Sequence, residues 1–221
     1  MSPRRAAERV IAYIDGFNLY YGLRAARYQR YYWLDLVALA RNLLRRHQVL
    51  VCTKYFTARI AGPKPADSPA KKARLREKRK RQTTWLDALA TLPDLRIFEG
   101  HYLARDMRCR RCGAEWTSHE EKMTDVNIAT ELLLDAFNDA FDTTLLVSGD
   151  SDLVAPVRAV RQRFRDKRVV VAFPPRRRSG DLCAAASACI TIGRATLARS
   201  LLPETVTTPA GHRLRRPSSW T

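Results

Sequence analysis

The stretch Val10-Ile11-Ala12-Tyr13-Ile14-Asp15 decides the fold class of this chain. Its apolar residues follow one another without alternation, as in a strand that helices cover on both faces of a parallel sheet. Apolar residues at helical spacing follow in residues 34–46, and residues 49–57 are rich in β-branched and aromatic side chains. Strand, helix and strand in this order form a β-α-β unit, so we predict an α/β fold with Asp15 at the carboxyl end of a strand.

The rest of the chain continues the alternation of strands and helices. We predict strands at residues 95–102, 143–147 and 168–173, helices at 125–141 and 153–164, and a last strand and helix within 190–202. A basic insertion (residues 62–82) and a Cys-x-x-Cys loop (residues 103–119) interrupt this pattern. We therefore predict one domain over residues 1–202 and a flexible basic tail over residues 203–221.

The composition narrows the class of protein. A length of 221 residues with 46% hydrophobic residues allows one buried core and excludes disorder of the whole chain. The net charge of +18 favours partners that are phosphate polymers or anionic surfaces, but it does not distinguish binding from catalysis. No apolar stretch approaches the roughly 18 residues of a membrane helix, so we expect no membrane partner.

Cysteine usage points to a reducing compartment. The five cysteines are an odd number, and Cys52, Cys183 and Cys189 stand alone in apolar or helical contexts, so a secreted disulfide framework is not expected. We therefore expect a cytoplasmic protein.

Four aspartates follow predicted strands or begin predicted helices: Asp15, Asp125, Asp150 and Asp152. The carboxyl ends of adjacent parallel strands share one crevice, where side chains distant in sequence converge. Carboxylates that close to one another repel unless a cation neutralises them, and Mg²⁺ or Mn²⁺ prefers oxygen ligands. The acids therefore predict a divalent metal site, while the alternative is that each of them only caps a helix.

Three motifs in this order resemble the NYN domain family, the LabA type of PIN-like ribonuclease domains. They are Ile14-Asp15-Gly16-Phe17-Asn18-Leu19, Glu121-Lys122-x-Thr124-Asp125-Val126, and Leu146-Val147-Ser148-Gly149-Asp150-Ser151-Asp152 followed by Pro156-Val157. The resemblance covers roughly residues 9–195. It implies a three-layer α/β/α sandwich with a mostly parallel central sheet, and it matches Asp15, Asp125, Asp150 and Asp152 to the family's metal-binding acids. Asn18 and Ser148 match neighbouring polar positions of the catalytic centre, which we assign to hydrogen bonding and orientation.

The resemblance and the acids together predict a metal-dependent ribonuclease, an endonuclease that hydrolyses single-stranded RNA with Mg²⁺ or Mn²⁺ as cofactor. The family resemblance implies products with a 5′-phosphate and a 3′-hydroxyl. One alternative is an RNA-binding regulatory module that keeps the metal pocket without useful turnover. Another is a phosphatase for small molecules, which would leave the net charge without a purpose. A homodimer is left open.

Two basic segments are candidates for contacts with RNA phosphates, which supply affinity independent of sequence. Their residues are Lys71, Lys72, Arg74, Lys78, Arg79 and Arg81 in the insertion, and Arg176, Arg177 and Arg178 after a predicted strand. The alternative for each segment is a solvated charged face.

Two smaller features of the sequence each have two interpretations. Aromatic residues behind the first acid either stack on unpaired bases or belong to the core; they are Tyr20, Tyr21, Tyr28, Tyr31, Tyr32 and Trp33. Cys109 and Cys112 have the spacing of a zinc knuckle, which His101 and His119 would complete around a structural zinc ion. The alternative is a pair of reduced thiols in an exposed loop.

Overall fold

The computed structural model describes residues 7–108, 111–113 and 115–220. The strands are β1 (Glu8–Asp15), β2 (Gln48–Ala58), β3 (Leu95–Arg108), β4 (Glu115–Lys122), β5 (Thr143–Val147), β6 (Arg168–Phe173), β7 (Ala188–Thr191), β8 (Thr205–Thr207) and β9 (Arg213–Arg215). The α-helices are α1 (Gly16–Ala25), α2 (Leu36–Leu43), α3 (Pro69–Leu89), α4 (Thr124–Phe137), α5 (Val154–Arg163), α6 (Gly180–Ala185) and α7 (Arg194–Arg199). Short 3₁₀ turns lie at Gln29–Tyr31, Ser151–Leu153 and Ser218–Trp220.

The central sheet has the strand order β4-β3-β2-β1-β5-β6-β7. All neighbouring pairs from β3 to β7 are parallel, and only β4 runs antiparallel to its neighbour. The chain builds outward from β1 first through β2 and β3, and then in the other direction through β5, β6 and β7. The connections therefore diverge between β1 and β5, which is the position where open α/β sheets bind ligands.

Helices cover the sheet on both faces, which confirms the predicted three-layer α/β/α sandwich. On one face, α1, α2, α3 and α7 pack through residues such as Leu23, Leu39 and Leu89. On the other face, α4, α5 and α6 pack through residues such as Ile128 and Val157. Because both faces are covered, the interior strands carry the continuous apolar runs from which the parallel sheet was predicted.

The Cys-x-x-Cys loop predicted over residues 103–119 is shorter in the structure. Strand β3 continues to Arg108 and pairs antiparallel with β4, with Tyr102 opposite Glu121 and Arg108 opposite Glu115. The charged residues of this segment favoured a loop in the sequence, but charged residues are common in edge strands and do not exclude an antiparallel pair.

The tail predicted to be flexible, residues 203–221, folds against the domain over its described part. Strands β8 and β9 form an antiparallel pair whose Val206 and Leu214 pack on the core, and β9 contacts α3. The Nε1 atom of Trp33 donates a hydrogen bond of 2.8 Å to the Pro203 carbonyl oxygen, and the ring of Trp220 lies 5.6 Å from that of Tyr32. A few apolar residues between prolines and arginines are enough to hold this segment, and composition alone hides them.

Two cysteines that the sequence analysis expected to stand alone are joined. Cys183 in α6 and Cys189 in β7 form a disulfide with their Cα atoms 5.6 Å apart. The helix and the strand are consecutive in the chain, so the turn between them brings the two side chains together. Among the described helices, none combines the length and apolar character that a bilayer crossing requires.

Candidate active site

The first acid of the site stands where β1 ends and α1 begins. Asp15 is buried and caps α1, because its Oδ1 accepts a hydrogen bond of 2.9 Å from the backbone N–H of Asn18. Its Oδ2 accepts from the Asn18 side-chain amide at 2.7 Å and from the Ser148 hydroxyl at 2.8 Å. Asp15 therefore caps the helix through Oδ1 alone, while two neutral donors hold its Oδ2.

The second acid lies beyond the end of β5, the strand next to β1. Ser148 is buried and connects the two strand ends: its hydroxyl donates to Asp15 and accepts from the Asp150 backbone N–H at 3.0 Å. Gly149 between them donates from its backbone to the Asn18 side-chain oxygen at 3.3 Å. A Cβ on Gly149 would lie 3.1 Å from the backbone of Arg177, so glycine lets the loop after β6 approach this turn.

The third acid comes from the start of α4. Asp125 lies in the first turn of this helix, which begins at Thr124 directly after Met123, whose φ of 82° turns the chain out of the edge hairpin. One carboxylate oxygen each of Asp15, Asp125 and Asp150 lies within 4.8 Å of the others. Asp152 is exposed and is not a member of this group of three, although its charge acts on Asp125.

The electrostatics of the three acids are unfavourable without a cation. Burial, and then the charges of Asp15, Asp150 and Asp152, raise the pKa of Asp125 to about 6. Burial also raises the pKa of Asp15, against the hydrogen bonds that Asn18 and Ser148 donate to its charged form. Converging oxygen ligands with unneutralised charge match the preference of Mg²⁺ or Mn²⁺, so the residues present fit a divalent ion.

The predicted basic residues of the insertion divide by their position on α3. Arg74, Lys78 and Arg81 lie on the side of α3 that faces α1. Lys71 instead pairs with Asp67 at 2.5 Å, and Lys72 donates to the Pro65 carbonyl at 2.6 Å, so these two lysines hold the proline-rich loop against the helix. Arg79 is exposed on the same helix.

The second basic segment lies beside the aspartates. Arg176, Arg177 and Arg178 are exposed in the loop after β6, and the guanidinium of Arg177 lies 5.7 Å from the ring centre of Tyr21 on α1. A Cβ on Gly22 of the same helix would lie 2.7 Å from the Pro175 carbonyl oxygen. This close packing fixes the arginine loop between α1 and the turn that carries Asp150.

The aromatic residues behind Asp15 divide into two groups. Tyr31 and Trp33 are buried in the core and Tyr28 packs against it, as one interpretation of the sequence expected. Tyr20, Tyr21 and Tyr32 are more accessible and line a cleft of about 540 Å³ between α1 and α3. The sequence analysis missed Trp85 and Trp220 as further residues of this cleft, and no local pattern marks them, because they come from α3 and from the segment predicted to be flexible.

The zinc prediction falls largely outside the described residues. Cys109 lies outside them, as do the side chains of His101 and His119. Cys112 is an exposed free cysteine. The zinc site therefore stays a prediction.

The chain is similar to known proteins in sequence and in fold. The model of the NYN domain family matches residues 9–193. A protein named 6-hydroxy-3-succinoylpyridine 3-monooxygenase from Pseudomonas putida is 30% identical over 201 residues, covering 75% of this chain and 59% of that protein's length. A crystal structure of a Vibrio parahaemolyticus protein of unknown function matches with a TM-score of 0.53 at 23% identity, covering 90% of this chain and 99% of the other. This last likeness supports the fold alone.

Proposed function

Since the chain belongs to the NYN domain family, whose fold is that of PIN-like nucleases, we propose that it is a metal-dependent ribonuclease that hydrolyses single-stranded RNA. The observation that carries this proposal is the convergence of Asp15, Asp125 and Asp150, whose carboxylate oxygens approach within 4.8 Å. The net charge of +18 supports a polyanionic substrate. Mg²⁺ or Mn²⁺ is the proposed cofactor.

The three acids of the group would hold the metal ion. When bound, such an ion lowers the pKa of a coordinated water and stabilises negative charge on the leaving oxygen. The chain's own contribution is orientation: Ser148 and Asn18 fix the Asp15 carboxylate, and the Asn18 amide also reaches the Asp150 Oδ2 atom at 3.4 Å. No side chain is needed as a nucleophile, and the exposed Arg176, Arg177 and Arg178 bind the phosphates that flank the scissile bond.

The test is Asp150→Asn, which keeps the size of the side chain and removes one ligand charge. Wild-type protein is expected to cleave labelled single-stranded RNA with Mn²⁺ and to stop with EDTA, and the variant to be slower by at least about a thousandfold. Asp166→Asn is the matched control, because Asp166 is exposed at the opposite, amino-terminal end of the strands. Undiminished cleavage by Asp150→Asn would refute the assignment.

A circular single-stranded RNA separates the two modes of cleavage. An endonuclease linearises the circle, whereas an exonuclease requires a free end and leaves it intact. We propose endonuclease action, so linear product is the expected result. RNA binding without any metal-dependent product would instead identify a regulatory RNA-binding module.

The curated relative supports a second candidate function, oxidation of a small aromatic carboxylate. Its printed name is that of a monooxygenase acting on a succinoylpyridine, and the chain spans about 59% of its length. The cleft between α1 and α3 has aromatic walls and the cations Arg74, Lys78 and Arg81, which suit such a molecule. A monooxygenase consumes O₂ and two electrons, so oxygen uptake with NADH and this pyridine is the measurement that would favour it.

A further inference from the structure

The cleft between α1 and α3 begins next to the aspartate cluster. Gly16 and Phe17, the first residues after Asp15, belong to its lining, and Tyr20 and Arg24 continue it along α1. Since a helix rises 1.5 Å per residue, Tyr20 lies about 7 Å along the axis from Asp15. The cleft of about 540 Å³ is therefore placed to receive the part of a substrate that adjoins a group held at the acids.

One wall of the cleft is a chain of aromatic rings. The ring of Tyr20 lies 5.3 Å from those of both Tyr21 and Tyr32, and Tyr32 lies 5.6 Å from Trp220. Burial, and then the neighbouring Tyr20, raise the pKa of the Tyr32 phenol to about 12, so the Tyr32 phenol stays neutral in the physiological range. Neutral rings of this kind stack on nucleobases at about 1–3 kcal/mol per base.

The opposite wall is cationic. Arg74, Lys78 and Arg81 follow one another at helical spacing along α3 and line the cleft together with Arg24 from α1. The Lys78 ammonium lies 5.9 Å from the centre of the Tyr20 ring, within cation–π distance, so the cationic and aromatic walls meet at this pair. Burial, and then Arg24, Arg74 and Arg81, lower the pKa of Lys78. An anion in the cleft would relieve this repulsion, as a phosphate attached to a stacked base does.

Polar groups in the floor of the cleft are already bonded within the protein. The Gln82 amide accepts from the Ile60 N–H at 2.7 Å and donates to the Ala58 carbonyl at 2.9 Å, and the Trp85 indole N–H donates to the Leu34 carbonyl at 2.9 Å. The groups of the cleft that can contact a ligand are therefore mainly aromatic ring faces and positive charges. Such a surface recognises the face of a base rather than its edge, which makes it tolerant of base identity.

We propose that this cleft binds one unpaired nucleobase of the RNA strand together with its phosphate, and so positions the neighbouring phosphodiester at the aspartate cluster. The proposal rests on the proposed function for the identity of the strand. It assigns base stacking to Tyr20 and Tyr32 and phosphate binding to Arg74 and Lys78.

The test measures binding in EDTA, so that it does not depend on cleavage. Short single-stranded RNAs are compared in which one abasic ribose is moved along the strand. With wild-type protein, one abasic position is expected to lower affinity about tenfold, whereas a change of base at that position has a smaller effect. In a Tyr20→Leu/Tyr32→Leu variant the intact RNA binds about tenfold more weakly, and the abasic position no longer matters.

Matched variants on α3 test the phosphate contact. Arg74→Gln/Lys78→Gln and Arg76→Gln/Lys80→Gln remove the same charge from the same helix, but only the first pair lines the cleft. The first pair is expected to weaken RNA binding several-fold more than the second and to reduce its salt dependence more. Phe137→Leu, an exposed aromatic on α4 across the sheet, is the control for the tyrosine variant.

The possible outcomes distinguish the proposed base site in the cleft from the proposed nuclease activity. Loss of the abasic effect in the tyrosine variant supports the base site even if no RNA is ever cleaved, whereas cleavage without any abasic effect retains the nuclease and overturns the site. Equal loss of affinity by the tyrosine variant for intact and abasic RNA also overturns it. Quenching of tryptophan fluorescence by a pyridine carboxylate, with RNA unable to compete, would assign the cleft to a small molecule and refute the proposal.

Discussion

Helix α4 contributes acids to two clusters that differ in how their charge is neutralised. At its start, Asp125 meets Asp15 and Asp150, and the donors that hold Asp15 are the neutral Asn18 and Ser148. Further along the helix, Glu131 and Asp135 both accept from the Lys54 ammonium, at 2.6 Å each. Tyr13 also donates its hydroxyl to Asp135.

The difference distinguishes the acids of α4 that are paired within the fold from the acid that we propose binds a metal ion. Lys54 is buried, and its single positive charge lies between the two carboxylates and offsets one of their two negative charges, so that cluster has a cation supplied by the fold itself. Within the described part of the chain, no cationic side chain bonds to the cluster at the strand ends, and the pKa of Asp125 rises to about 6 through burial and the neighbouring acids. An arrangement that is unfavourable by itself and favourable with a divalent ion is typical of a metal site.

Removing the built-in cation is expected to have the largest effect on stability. Lys54→Met keeps the length of the side chain but leaves Glu131 and Asp135 without their partner, which should lower the free energy of unfolding by about 3–5 kcal/mol. Urea denaturation followed by circular dichroism measures this loss. The control is Arg59→Met, which breaks an exposed pair with Glu99 at 2.8 Å and should cost less than about 1 kcal/mol. If Lys54→Met lowers the free energy of unfolding by no more than Arg59→Met does, then Lys54 does not stabilise Glu131 and Asp135 in the folded protein.

Removing an acid from the cluster at the strand ends is expected to raise the free energy of unfolding rather than lower it. The pKa of Asp125 lies at about 6 in the folded protein against an ordinary value of 3.8, so its ionisation opposes folding as the pH rises through that interval. Without metal, Asp125→Asn should therefore match wild type below pH about 4 and be more stable above pH about 6, by roughly 1–2 kcal/mol after allowance for partial exposure.

Thermal melts in EDTA across this pH range measure the difference. Saturating Mn²⁺ should make the wild type the more stable of the two proteins at neutral pH. A ligand at a hundredfold excess over its Kd stabilises the folded protein by about 2.7 kcal/mol, and the variant has lost one carboxylate oxygen that would bind the ion. Equal stabilisation of both proteins by Mn²⁺ would place the ion elsewhere.

The convergence of Asp15, Asp125 and Asp150 was predictable because it follows from topology. Once VIAYID is identified as a buried parallel strand, the acids after β1 and β5 must come to the same edge of the sheet. The Lys54 cluster was not predictable by the same reasoning. A lysine between a threonine and a tyrosine in a strand is usually exposed, and only the register of β2 against β1 and the passage of α4 bury it.

The cleft between α1 and α3 was predictable only in parts. The tyrosines of α1 and the basic residues of α3 were each identified from local composition, but nothing in either segment states that they face each other. Trp220 was missed because it lies among prolines, serines and arginines, where a single aromatic residue does not change the composition. Its contact with Tyr32 is a tertiary interaction of residues far apart in the chain.

Asp152 tests the proposed distinction between acids that bind the ion and acids that only add charge near it. It is exposed and lies outside the group of three, while its backbone N–H donates to the Asp150 Oδ1 atom at 3.0 Å and its charge raises the pKa of Asp125. Asp152→Asn keeps the backbone donor and removes only the charge, so the Mn²⁺ concentration for half-maximal RNA cleavage should rise by less than about tenfold, or 1.4 kcal/mol. Asp150→Asn measured in the same titration is the reference for loss of a ligand. If Asp152→Asn is as inactive as Asp150→Asn at saturating Mn²⁺, then Asp152 binds the ion directly and the site has four acids rather than three.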